Sequence, residues 1–191
     1  MIPIMETSRL ILRPWRSSDV FALAAMNADA HVMEFFPSLL TPQESRELLE
    51  RAARRMQIDG FCFAPIELKQ SGEFLGFAGL HRPAFKPALA FEPCVEIGWR
   101  LVRSAWGRGF ASEAGSAWLR FGFETLGLLE IVSFTSADNH RSRAVMQRLG
   151  MRHDADSDFD HPAIADDHTL KRHVLYRLSA ADWRQGFLAR A

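Results

Sequence analysis

The sequence predicts a mixed α/β (α+β) fold, and three local patterns carry that expectation. Thr41-Pro42-Gln43-Glu44 joins a Ser/Thr-x-x-Glu capping box to a proline in the first helical turn, ahead of an apolar stripe at Leu48, Leu49, Ala52 and Met56. The β-like runs 61–68 and 73–80 flank Lys69-Gln70-Ser71-Gly72, a turn composition that joins them as an antiparallel hairpin. A third run, 94–102, leads through Trp106-Gly107-Arg108-Gly109 into a helix with Ala111, Ala114, Trp118 and Phe121 on one side.

The remaining elements follow in order. Arg9-Leu10-Ile11-Leu12-Arg13 is β-rich and stops at Pro14, which cannot donate to a ladder. Ser17-Ser18-Asp19 offers N-cap side chains ahead of a helix carrying Val20, Leu23, Ala24 and Asn27. His31-Val32-Met33-Glu34-Phe35-Phe36-Pro37 is too short and proline-bounded for a long element and reads as a loop or single helical turn over a pocket. Residues 82–93, with three prolines, form an irregular connection. Further on, 129–135 is a strand, 139–149 a helix closed by Gly150, and 173–178 a last strand before Ser179-Ala180-Ala181-Asp182-Trp183. The expected order is β-α-α-β-β-β-α-β-α-β-β.

A chain of 191 residues suits one domain, 1–191, around one core. Apolar residues at 48% and charged residues at 24% match an ordinary globular protein, and 23 basic against 23 acidic residues leave no global field to draw it onto nucleic acid or an anionic membrane. Cys62 and Cys94 both lie in apolar runs, which suits reduced thiols and a cytoplasmic location. Met1-Ile2-Pro3-Ile4-Met5-Glu6 lacks an export pattern, and no segment reaches the roughly 18 uninterrupted apolar residues of a membrane span. A monomer or homodimer is expected.

The glycine turn carries the chemistry. A helix N-terminus exposes unpaired N–H groups and the positive end of the macrodipole, so a turn with few Cβ atoms lets an anion approach. Gly107 and Gly109 give clearance, Ala111 and Ser112 are small, and Arg100, Arg103 and Arg108 are close in sequence, so a polyphosphate is the natural guest. A steric connection with arginines for solubility is the competing reading. A dinucleotide motif would want glycine at position 112, which is Ser, and the Gly-Lys-Ser/Thr of a P-loop is missing.

Four ordered blocks spanning nearly the whole chain resemble the GCN5-related N-acetyltransferases (GNAT), and within them the branch that acetylates ribosomal-protein N-termini (RimJ/RimL-type). They are Thr7-Ser8-Arg9-Leu10-Ile11-Leu12-Arg13-Pro14-Trp15, Glu96-Ile97-Gly98-Trp99, Trp106 to Ala114, and Asn139 to Met151. The resemblance implies a mixed, mostly antiparallel sheet splayed at the acyl-CoA site and flanked by about four helices. It also implies acetyl-CoA as co-substrate, with its pantetheine arm in the split and its pyrophosphate on residues 107–112. The implied cofactor contacts are Leu101, Val102, Trp106, Gly107, Arg108, Gly109, Phe110, Ala111, Ser112, Asn139 and Ser142. Trp106 stands where the family usually has Arg or Gln, a departure typical of the ribosomal-protein branch.

An amine is mostly an ammonium at neutral pH, so transfer needs a base or a proton-conducting water chain. Alternation puts Cys94, Glu96 and Gly98 on one strand face, which makes Glu96 a carboxylate in an otherwise apolar strand: a general base, or the partner of an arginine. Many relatives place a tyrosine beside the departing thiolate where this chain has Met146, so the resemblance implies Ser142 as the hydrogen-bond donor and Asn139 as the holder of the pantetheine amide. Asn139 is equally a good N-cap and Ser142 an ordinary first-turn residue. Cys94 could accept the acyl group in a two-step reaction, but a small buried hydrophobe is the simpler reading, since no adjacent histidine or helix start lowers its pKa.

The acceptor pocket is expected from segments 31–41, 82–93 and 158–169. These hold Phe35, Phe36, Phe85, Phe91, Phe159 and His161, with Glu34, Glu92 and Asp160 as partners for an ammonium. An apolar mouth with few acids suits a peptide N-terminus or a hydrophobic amine. Asp154-Ala155-Asp156-Ser157-Asp158-Phe159-Asp160 resembles the start of an EF-hand loop but has Phe159 where glycine is required, and the histidines lack zinc spacing, so no metal is expected. A non-catalytic acyl-CoA-binding sensor is the alternative from another class. Arg51, Arg54 and Arg55 read as the wet face of a helix rather than a nucleic-acid site.

Overall fold

The computed structural model describes residues 4–188, so Met1, Ile2 and Pro3 of the N-terminal stretch lie outside it. The chain divides into two compact units: the chain up to His81 with Gly98–Ala117, and Arg82–Ile97 with the chain from Trp118 on.

In the first unit, β1 (Met5–Glu6) and β2 (Leu10–Leu12) are antiparallel, and β2 continues onto the hairpin of β3 (Phe63–Leu68) and β4 (Phe74–His81). Between them run α1 (Asp19–Asn27) and α2 (Pro42–Asp59). The α2 start follows the sequence pattern: Glu44 N–H donates to Thr41 Oγ1 at 3.2 Å and Thr41 N–H donates to Glu44 Oε2 at 2.7 Å. The α1 start does not. Ser18 makes no side-chain cap. Asp19 instead accepts Arg16 N–H at 2.8 Å and both Arg13 guanidinium nitrogens at 2.8 and 2.9 Å, because buried Arg13 needs a buried partner. Val20, Leu23, Met26, Val32, Leu49 and Phe77 form the core of this unit. On α2, Arg51, Arg54 and Arg55 pair with Glu47, Glu50 and Asp59 one turn away.

Strand β5 (Glu96–Leu101) gives its first two residues to the second unit and its rest to the first, where Val102 N–H donates to Leu75 O at 3.0 Å. Gly76, at φ 130, allows this approach, since a Cβ there would overlap the Arg100 carbonyl oxygen. Helix α3 (Phe110–Arg120) follows the glycine turn.

In the second unit β5 pairs parallel with β6 (Glu130–Ser136), registered at Glu96↔Val132. After α4 (His140–Arg148) come β7 (Arg152–His153), β8 (Phe159–Asp160) and β9 (Arg172–Ser179). Strand β9 is antiparallel to β6 from Glu130↔Ser179 to Ser136↔His173, and β7 and β8 line its other edge. The described residues thus form a mixed, mostly antiparallel open sheet with five α-helices. The fifth, α5 (Ala180–Leu188), lies beyond the about four expected, and Ser179 caps it by accepting Asp182 N–H at 3.0 Å. No helix among the described residues is long and apolar enough to cross a membrane.

Candidate active site

The glycine turn is built within the first unit. Strand β5 ends at Leu101, a single 3-10 turn covers Arg103–Ala105, and Gly107 and Gly109 take φ of 72° and 79° before α3 begins. A Cβ on Gly107 would meet nothing within 4 Å, so the glycine is required there by its left-handed backbone rather than by clearance. Such a turn leaves the first N–H groups of α3 without helical carbonyl partners.

Glu113, in the first turn of α3, ties that end down. It accepts Thr7 Oγ1 at 2.6 Å, Ser8 Oγ at 3.0 Å, Arg9 N–H at 2.9 Å and Arg9 Nε at 2.6 Å. Partial burial works to raise its pKa, but these donors outweigh it and hold the carboxyl below its ordinary range. Arg9 also donates to Arg108 O at 3.0 Å, and the Arg9 and Arg108 guanidinium groups lie 4.6 and 4.8 Å from the Phe110 ring centroid. The Thr7-Ser8-Arg9 block and the glycine-turn block therefore touch.

Trp106 packs on the core and donates its indole N–H to Leu101 O at 3.0 Å. Val102 has its N–H on Leu75 O and accepts Ala105 N–H at 3.0 Å. Ala111 and Ser112 are half-buried in the first turn of the helix. Arg100, expected beside the turn, is not a turn residue: its guanidinium lies 3.8 Å from the Phe36 centroid and donates to Asn27 Oδ1 at 2.7 Å. Burial pushes its pKa down to about 10. Phe36 thus contacts Arg100 while remaining exposed, and Glu34 is exposed and Phe35 half-buried in the same turn-rich segment.

Within the second unit Glu96 is 8% exposed at the first position of β5. Burial, then the nearby carboxylates of Glu96 and Glu92, push the Cys94 thiol up to about 12, which removes it as a nucleophile near neutral pH. Asn139 is the N-cap of α4: its Oδ1 accepts Ser142 N–H at 3.1 Å and its Nδ2 donates to Thr135 Oγ1 at 2.9 Å. Thr135 alternates with Phe134 on β6, so Asn139 meets the sheet face opposite to the one shared by Glu96 and Val132. Met146 is 1% exposed, a core residue.

Phe85, Phe159 and His161 come together. Phe85 lies 5.0 Å from His161 and 5.8 Å from Phe134, and Phe159 lies 5.4 Å from Phe134 and 5.2 Å from Phe91. Sequence reading missed Phe134 and His173, though each stands in a β-like run as an aromatic ring at an alternating position. Glu92 is not a spare acid, since its two oxygens accept Phe85 and Leu89 N–H at 3.1 and 2.7 Å. Asp154, Asp158 and Asp160 are individually paired with Arg177, His153 and Arg172.

Residues 9–152 match the family model of the acetyltransferase (GNAT) domain. The chain is 30% identical over 159 residues to the uncharacterized N-acetyltransferase YoaA of Bacillus subtilis, covering 80% of this chain and 84% of that protein. An acetyltransferase structure from Agrobacterium tumefaciens superposes with a TM-score of 0.74 at 28% identity, covering 93% of this chain and 95% of the other. The ribosomal-protein-S5-alanine acetyltransferase of Vibrio fischeri shares the fold at a TM-score of 0.73 and 18% identity, over 95% of this chain and 98% of its own. The chain belongs to the GNAT acetyltransferase family and is an acyl-CoA-dependent acetyltransferase.

Proposed function

We propose that the chain transfers an acetyl group from acetyl-CoA directly to a primary amine in a ternary complex, with 1–191 working as one catalytic domain in the cytoplasm. The observation that carries this is the turn at Gly107 and Gly109, both at positive φ immediately before α3. The N–H groups of residues 107–112 would take the pyrophosphate, with Leu101, Val102 and Trp106 holding the turn in shape. Glu96 would accept the proton of the amine from one face of the sheet, and Ser142, beside Asn139 at the other, would donate a hydrogen bond to the departing thiolate. The acceptor class is a peptide N-terminus, as in the ribosomal-protein branch, or a small-molecule amine.

The test is release of CoA thiol from acetyl-CoA against a panel of N-terminal peptides and small amines. Thiol release that depends on one class of amine is expected. Tight acetyl-CoA binding with no turnover against any amine would replace this reading with a non-catalytic sensor.

A further inference from the structure

Six rings of the second unit, those of Phe85, Phe91, Phe134, Phe159, His161 and His173, meet on one face of its sheet. Glu96 is registered against Val132, and Ser136 against His173. Directly paired residues, and residues two apart along a strand, share a face, so Glu96, Val132, Phe134 and His173 lie on the same side. Phe134 is one alternation, about 7 Å, along β6 from the residue opposite Glu96.

Phe85 and Phe91 reach this face from the connection after β4, and Phe159 and His161 from β8 and the segment after it. Phe91 lies 6.2 Å from Phe134, Phe159 lies 5.6 Å from His173, and His161 lies 4.8 Å from His173. His173 is 7% exposed, whereas the four phenylalanines and His161 are all half-buried. The cluster is contiguous and not fully closed off.

The charged groups around it are already engaged. Asp160 holds Arg172, Glu92 holds the loop backbone, and Lys171 donates to Ile164 O and pairs with Asp166. Arg177, whose guanidinium lies 6.0 Å from the Phe91 centroid, is held by Glu130 and Asp154. Burial keeps both imidazoles neutral near pH 7, with Lys171 adding to the effect at His161 and His161 to that at His173. The uncharged rings predominate on this face, and Glu96 lies on the same side of the sheet.

We propose, resting on the acetyl-transfer reading above, that this aromatic face recognises the acceptor. The acceptor is then an amine carrying an uncharged aromatic group near its nitrogen, not a polycation. Stacking on Phe134 and Phe159 holds the ring, and the amine is left toward Glu96. A polyamine or aminoglycoside would bring several charges to a surface whose acids are spent on other partners.

The experiment compares kcat/KM for an arylalkylamine, a straight-chain alkylamine and a triamine, with acetyl-CoA saturating. The arylalkylamine is expected to exceed the triamine by on the order of tenfold or more. Phe134→Leu and Phe159→Leu, which keep an apolar side chain and remove the ring, are expected to narrow that ratio through KM for the arylalkylamine. Turnover blind to the ring, or faster with the triamine, overturns this inference and leaves acetyl transfer standing. No thiol release with any amine overturns both.

Discussion

In the Trp106–Ala111 turn the groups on offer belong to the backbone, which Gly107 and Gly109 direct by their positive φ. In the aromatic face of the second unit they are side chains, gathered from the connection after β4, from β6 and from β8 onward. The first arrangement is contiguous in sequence and depends on backbone conformation. The second is assembled from distant segments and can be retuned one ring at a time. Substitutions in the turn should therefore act on stability and cofactor affinity, and substitutions in the aromatic face on which amine is chosen.

The largest expected effect tests the edge of the aromatic face. Glu96→Gln should lower kcat by roughly 10²-fold while leaving the circular-dichroism spectrum unchanged. An unaltered kcat and pH–rate profile would make Glu96 a structural partner instead.

Next comes the clamp on the turn. Glu113→Ala removes the acceptor for Thr7, Ser8 and Arg9 and should cost about 2 kcal/mol in chemical denaturation. Because the folded pKa of Glu113 is depressed, its contribution is present above the ordinary carboxylate pKa and lost as pH falls below it. The variant should lack that part of the acid dependence. Gly107→Ala, with open space around the new methyl but φ of 72°, should cost about 1 kcal/mol and weaken acetyl-CoA binding in titration.

The smallest effect near neutral pH comes from beneath the aromatic face. Burial, with His161 alongside, lowers the His173 pKa from 6.5 to about 4. Between those values the unfolded chain binds a proton that the folded chain refuses, so stability falls as pH drops through that window. The loss at pH 6 should be no more than about 1 kcal/mol, growing toward pH 4. His173→Phe should flatten the dependence of melting temperature on pH across this range.

What could be read in advance followed the same division. The capping box at Thr41, the hairpin around Lys69–Gly72 and the strand, turn and helix around Gly107 are local, and their residues stand close in sequence. The clamp of Glu113 on Thr7 and Arg9, the stacking of Arg100 under Phe36, and the convergence of Phe134 with Phe85 and Phe159 depend on long-range packing. The two-residue strands β1, β7 and β8 carry too few residues to show a period. Ser17-Ser18-Asp19 offers caps by residue type, but Ser18 makes none and the Asp19 carboxylate is held by buried Arg13 and by Arg16 N–H. Phe85, Phe159 and His161 were legible as aromatic residues in loops, yet not as one surface, since Phe134 and His173 sat inside runs that read as ordinary strand.

The most direct measurement follows the acetyl group itself. With isotopically labelled acetyl-CoA and an accepted amine, the label should appear on the amine nitrogen, and the intact protein mass should not change. Stable label on Cys94, released only when amine is added, would contradict direct transfer and the depressed acidity of that thiol.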